Sequence, residues 1–72
     1  MRPRSLILGR GRWGTNIART LDSMNEHWFM AGSERNEPAE DWTAVFIATP
    51  ATTHFALVAE FLPKRIPIFC EK

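Results

Sequence analysis

Apolar positions in this chain fall into short blocks whose spacing alternates between two periods. Leu6-Ile7-Leu8 is a continuous apolar run that stops at Gly9, as a strand does when a parallel sheet is covered on both faces. Over residues 12–24, Trp13, Ile17, Leu21 and Met24 recur at helical spacing and place one apolar stripe on a helix. A second block, residues 28–31, ends at Gly32-Ser33-Glu34 and predicts a second strand. Asn36-Glu37-Pro38 then breaks the pattern and leaves room for only a short helical turn over residues 38–42. Residues 44–48 predict a third strand, closed by Thr49-Pro50. Thr52 or Thr53 can cap a helix over residues 54–62, with Phe55, Val58, Ala59 and Leu62 on its apolar face. Pro63 and Pro67 end that helix, and residues 66–70 predict a last strand in which Cys70 is buried.

Alternation of strand and helix argues for an α/β fold, a short Rossmann-like open parallel sheet of about four strands. The expected order is 2-1-3-4, with right-handed crossovers placing one helix on each face. In that order the link between the second and third strands must travel back about 17 Å and sideways about 10 Å. Ten extended residues reach roughly 33 Å, so the link suffices. With one helix per face, each face is only partly covered, and Val45, Ile47, Trp42 or Trp28 is expected to be exposed. Such a patch points to self-association or to a missing partner or second domain.

At 72 residues the chain is one small domain with a limited core. No run approaches the roughly 18 apolar residues of a membrane span, and the start does not read as a secretory leader, so a cytoplasmic protein is expected. The single cysteine offers no disulfide and no metal site. Net charge is only +1, yet Arg2, Arg4, Arg10, Arg12 and Arg19 precede the first acid, whereas Asp22, Glu26, Glu34, Glu37, Glu40 and Asp41 surround only Arg35. The amino-terminal part therefore attracts anions. No helix-turn-helix, zinc-finger or base-stacking pattern accompanies it, which argues against nucleic acid.

The first strand-to-helix turn reads Gly9-Arg10-Gly11-Arg12-Trp13-Gly14. Gly9 permits the sharp turn, Gly11 lets a pyrophosphate approach the backbone, and Gly14 lets the helix pack closely on the strand. The phosphates would lie at the helix amino terminus, where unpaired N–H groups and the dipole favour negative charge. Arg12 and Trp13 complete this candidate cofactor-binding turn, with Arg10 as a further phosphate contact. Glu34 follows Gly14 by about 20 residues, at the end of the second strand, the place of an acid that binds ribose hydroxyls. Its neighbour Arg35 leaves the choice between NAD and NADP open, because an arginine there can accommodate a 2'-phosphate.

Residues 47–72, IATPATTHFALVAEFLPKRIPIFCEK, resemble a segment of the glucose-fructose oxidoreductase and inositol dehydrogenase (Gfo/Idh/MocA) family. There the order is strand, Thr-Pro-Asn, two residues, His, helix, strand, Glu-Lys-Pro. With the glycine turn at its expected distance, the resemblance covers nearly the whole chain. It implies an NAD- or NADP-binding domain in which Thr49 and Pro50 lie beside the cofactor, as do His54 and Glu71. It also implies that Lys72 reaches the nicotinamide ribose and substrate as the catalytic residue. An ammonium there can polarise a carbonyl or shuttle a proton during hydride transfer. The chain departs from the family at Ala51, where asparagine is usual, and at Arg65, where a glycine closes the helix. The link before the third strand is shortened and the sequence stops at Lys72, so a shortened cofactor domain without the family's substrate domain is expected.

Two functions follow. One is the cofactor domain, residues 1–72, of an oxidoreductase acting on a sugar, polyol or related small molecule. The other is a non-catalytic nucleotide-binding or interaction module, or a degenerate fragment.

Overall fold

The computed structural model describes residues 4–32, 34, 35, 37, 38 and 41–70. Strand β1 (Arg4–Leu8) leads into helix α1 (Arg12–Ser23) and strand β2 (His27–Ala31); β3 (Ala44–Ile47), helix α2 (His54–Phe61) and β4 (Ile68–Cys70) follow. All four strands are parallel, in the order β2-β1-β3-β4. The central β1 pairs with both β2 and β3, so that Leu6 stands opposite Phe29 and Val45, and Ile7 opposite Met30 and Phe46. That register divides the apolar residues between two faces, because successive side chains of a strand point to opposite sides. Leu6, Leu8, Ala31, Val45 and Ile47 join one core with Trp42 and with Phe61 of α2; Ile7 packs under α1 with Ala18 and Leu21.

The α1 stripe differs from the expected one. Gly14, Ala18 and Leu21 are buried, whereas Trp13 is 50% and Met24 61% exposed. Small residues let the helix axis lie close to the strands, which pushes the large side chains to the rim of the contact. Asn25 ends the helix in the left-handed conformation at φ 58°, while Glu26 N donates to Leu21 O and Asn25 N to Asp22 O. This double closure satisfies carbonyls that the last turn leaves unpaired.

In α2 the buried side is also rotated. Phe61 is buried and Leu57 and Val58 pack against the core, but Phe55 is 87% exposed, and Ala59 and Leu62 also face outward. The sequence HFALVAEF is apolar around most of its circumference, so periodicity could not choose between adjacent stripes. Neither threonine hydroxyl caps the helix: the cap residue, Thr53, turns its hydroxyl back to Pro50 O at 2.7 Å. A 3-10 turn over Leu62–Lys64 follows, closed by Arg65 in the left-handed region at φ 57°, the position where a glycine was the expected residue.

The expected exposure of Val45, Ile47 and Trp42 is corrected. All three are buried, and Trp28 is partly buried. The short link itself supplies the cover. It puts Trp42 against the α2 face, 6.4 Å from Phe29 between ring centroids, beside the region that α2 covers. Thr43 anchors its end: its N–H and hydroxyl both donate to Arg4 O, and its Oγ accepts from Arg4 N. The expected helical turn over residues 38–42 lies partly outside the described residues.

On the opposite face α1 leaves β3 and β4 partly open. Phe46 and Phe69 stack there at 4.9 Å, Phe69 is 53% exposed, and apolar grooves of about 390 and 230 Å³ run from them to Trp13, Ile17 and Met24. Cys70 is exposed too, contrary to expectation, because β4 is the edge strand. Among the described residues, no helix is long and apolar enough to cross a membrane.

Candidate functional site

The central strand sends the chain to β2 on one side, while β3 carries it onward to β4 on the other. Crevices outside the carboxyl ends of strands at such a switch point are where open α/β sheets bind ligands. Here the ladder extends just past the strands: Gly9 N donates to Ala31 O at 2.9 Å, and Ala48 N to Leu8 O at 2.8 Å. Gly9, Gly32 and Ala48 therefore stand side by side, and they floor a cleft of about 640 Å³. That volume lies within the range of small-molecule sites.

The three glycines of the turn do different things. Gly9 has φ +117°, and a Cβ on it would come within 2.5 Å of Ala48 O. Gly14 faces Gly9 so closely that a Cβ would overlap the Gly9 carbonyl. Both are therefore demanded by the chain's own packing. Gly11 is not: it is the N-cap of α1 in an extended conformation open to any residue, and a Cβ there meets nothing within 4 Å. Its surroundings are the cleft. Of the three glycines of the turn, only Gly11 has no packing reason for its missing side chain, and it lines the cleft.

The start of α1 suits an anion. No side chain caps it and no acid lies in its first turn, so its leading N–H groups have no side-chain partner from the cap and no acid of that turn offsets the dipole. Tested against this geometry, a dinucleotide pyrophosphate fits: the backbone is bare at Gly11, the helix end is positive, and Arg10 lines the same cleft.

Gly9, Gly11, Glu34, Arg35, Thr49 and Pro50, all expected at the site, line the cleft together. Glu34 is held by Arg10, whose Nη2 lies 2.9 Å from Oε1. Arg35 borders the cleft, but its guanidinium is committed elsewhere, at 2.7 Å from Glu37 Oε2 and 2.6 Å from Glu60 Oε2, with its centre 5.6 Å from the Phe61 ring. Hydrogen bonds to Glu60 and Glu37 raise the Arg35 pKa above its ordinary value. The same bonds hold both carboxyls below theirs, against the opposing effect of burial.

Other expected residues stand outside the cleft. Gly14 lies beneath it, Arg12 is exposed on α1, and the Trp13 ring lines the apolar grooves of the opposite face. His54 sits behind the Thr49-Pro50 turn, its Nε2 2.8 Å from Thr49 O. A carbonyl only accepts, so Nε2 carries the proton, and the ring ties the turn to α2. Thr49 and Thr53 hydroxyls meet at 2.6 Å; since Thr53 gives its proton to Pro50 O, Thr49 is the donor to Thr53. Glu71 and Lys72 lie outside the described residues.

Sequence reasoning missed Leu8, Gly32, Ala48, Thr53 and Leu57, which complete the lining. Gly32 was legible as the residue closing the second strand before Glu34. Thr53 and Leu57, one helical turn apart, required knowing which way α2 faces. A second cleft, about 600 Å³ with Arg4, Asp41, Glu60 and Lys64 in its wall, includes two residues, Glu37 and Glu60, already engaged by Arg35. Among the described residues, no group of three or more His, Cys, Asp or Glu side chains converges to hold a metal.

Comparison with protein-family models, curated proteins and solved structures finds no match to this chain.

Proposed function

We propose that the chain binds NAD or NADP in the cleft at the ends of β1 and β3, as the cofactor-binding part of an oxidoreductase of the Gfo/Idh/MocA type acting on a sugar, polyol or related small molecule. The observation that carries the reading is Gly11, a glycine with no structural need for its missing side chain, beside an uncapped helix end. Gly11 and the first N–H groups of α1 would hold the pyrophosphate, Glu34 the adenosine ribose, and Thr49 and Pro50 the nicotinamide half. The bound nicotinamide supplies hydride transfer. The chain's own contribution is to bind and orient it: the Thr49–Thr53–Pro50 hydrogen bonds and the His54 bond to Thr49 O make the turn beside it rigid. Lys72 enters only through the family resemblance, as the group that would hold a proton near the reacting carbon.

A second reading, a nucleotide-binding interaction module without chemistry, is favoured by one observation: the exposed apolar surface of Trp13, Met24 and Phe69.

Calorimetry with NAD and NADP tests the shared core of both readings. Gly11 lines the cleft and a Cβ on it meets no protein atom within 4 Å, so Gly11→Val should abolish binding while changing stability by about 1 kcal/mol or less, the scale of a helix N-cap substitution. Equal affinity in the wild type and Gly11→Val would refute the assignment.

A further inference from the structure

The cleft contains one acid and two arginines near the expected ribose position, and the structure separates the roles of the two cations. Arg35, the sequence neighbour of Glu34, is gripped by Glu37 and Glu60. Swinging it into the cleft would leave those two carboxylates without their cation. Arg10 comes from the glycine turn instead, and its partner is Glu34 itself at 2.9 Å. The pair lies directly over Gly32: a Cβ there would come within 3.0 Å of Glu34 Oε2 and 3.1 Å of Arg10 Nε. Gly32 thus provides the seat on which the β1–α1 turn and the end of β2 meet.

Resting on the dinucleotide reading above, in which Glu34 meets the adenosine ribose, we propose that Arg10 rather than Arg35 is the latent 2'-phosphate ligand, and that its ion pair with Glu34 keeps it from that role. A ribose with free hydroxyls needs an acceptor. Glu34 offers Oε2 for this while Oε1 stays with Arg10, so the pair survives binding. A 2'-phosphate brings up to two negative charges against a carboxylate whose single counter-ion is already in use, and it carries no hydroxyl proton to give. Removing the Glu34 charge reverses the preference. Arg10 is then released at the same spot, with a planar fork of donors suited to phosphate.

Both side chains are about half exposed, 55% and 52%, so the pair adds little to folding and its variants should stay folded. This makes a binding cycle practicable. NAD and NADP are titrated calorimetrically into the wild type, Glu34→Gln, Arg10→Met and the double variant at low ionic strength, with thermal melts as controls. The wild type should prefer NAD by about tenfold or more, a difference of about 1.4 kcal/mol. Glu34→Gln should bind NADP about tenfold more tightly than the wild type does. Adding Arg10→Met should cancel that gain.

A gain in NADP affinity that survives Arg10→Met would overturn the assignment of Arg10 and leave the cleft reading standing. An unchanged NAD to NADP ratio in Glu34→Gln would show that Glu34 does not face the 2' position, and would overturn the inference alone. Binding of neither dinucleotide by the folded wild type would defeat the cleft reading and the inference with it.

Discussion

Arg35→Met removes a cation that joins the link to α2 while keeping most of the side chain's length and apolar bulk. Arg35 and Glu37 are mostly shielded, 28% and 13% exposed, so their forked hydrogen bonds fall in the range of about 1.5–3 kcal/mol for bonds to charged groups. Glu60 is 46% exposed and is discounted to about 1 kcal/mol or less. The sum, about 3 kcal/mol, is large against the roughly 4–11 kcal/mol expected of a domain this size. At about 4–8 °C per kcal/mol, the melting temperature should fall by about 12–24 °C. The pH dependence distinguishes this from a loss of packing. Both carboxyls have folded pKa values below the ordinary 4.5, so the stabilisation is fully present above that value and is lost as pH falls through the depressed ones. Urea unfolding of both proteins between pH 7 and pH 3 should therefore show a gap that is widest at neutral pH and narrows steadily as pH falls below about 4.5. A gap under about 0.5 kcal/mol at pH 7, or one that does not narrow in acid, would refute the reasoning. Below its melting point the variant should keep the wild-type NAD to NADP ratio. Selective loss of NADP would instead mean that Arg35 reaches the ribose.

Two further outcomes are expected. Gly9→Ala combines an unfavourable φ of +117° with a collision against Ala48 O, so it should lose about 3 kcal/mol or more, read by urea unfolding; near-wild-type stability would mean that β1 and β3 do not meet as described. Phe69→Lys places a charge beside Phe46 on the open face and should sharply reduce binding of a hydrophobic dye while leaving the thermal midpoint within a few degrees; an unchanged dye signal would place the accessible apolar surface elsewhere.

Local patterns settled the elements of this protein. Continuous apolar runs marked the strands, and glycine and proline marked their ends, because both signals act over a few residues and need no partner. The strand order was legible for a related reason, since the alternation of elements and the handedness of crossovers leave few arrangements for a parallel sheet. The glycine turn and Glu34 were legible as well, because their spacing reflects the distance from one strand end to the next. Which side of each helix is buried was decided only in three dimensions. The close seat of Gly14 on Gly9 moved Trp13 and Met24 to the rim, and α2 had no polar face to orient it. Trp42 was hidden by the path of the link, a property of no single stretch of sequence. The charges of the cleft depended on tertiary structure most of all. Adjacent in sequence, Glu34 and Arg35 turn to different partners, Arg10 for one and Glu37 with Glu60 for the other. Ion pairs form between whatever the fold brings within about 4 Å, and only the packed sheet brings Arg10 across to Glu34 and α2 across to Arg35.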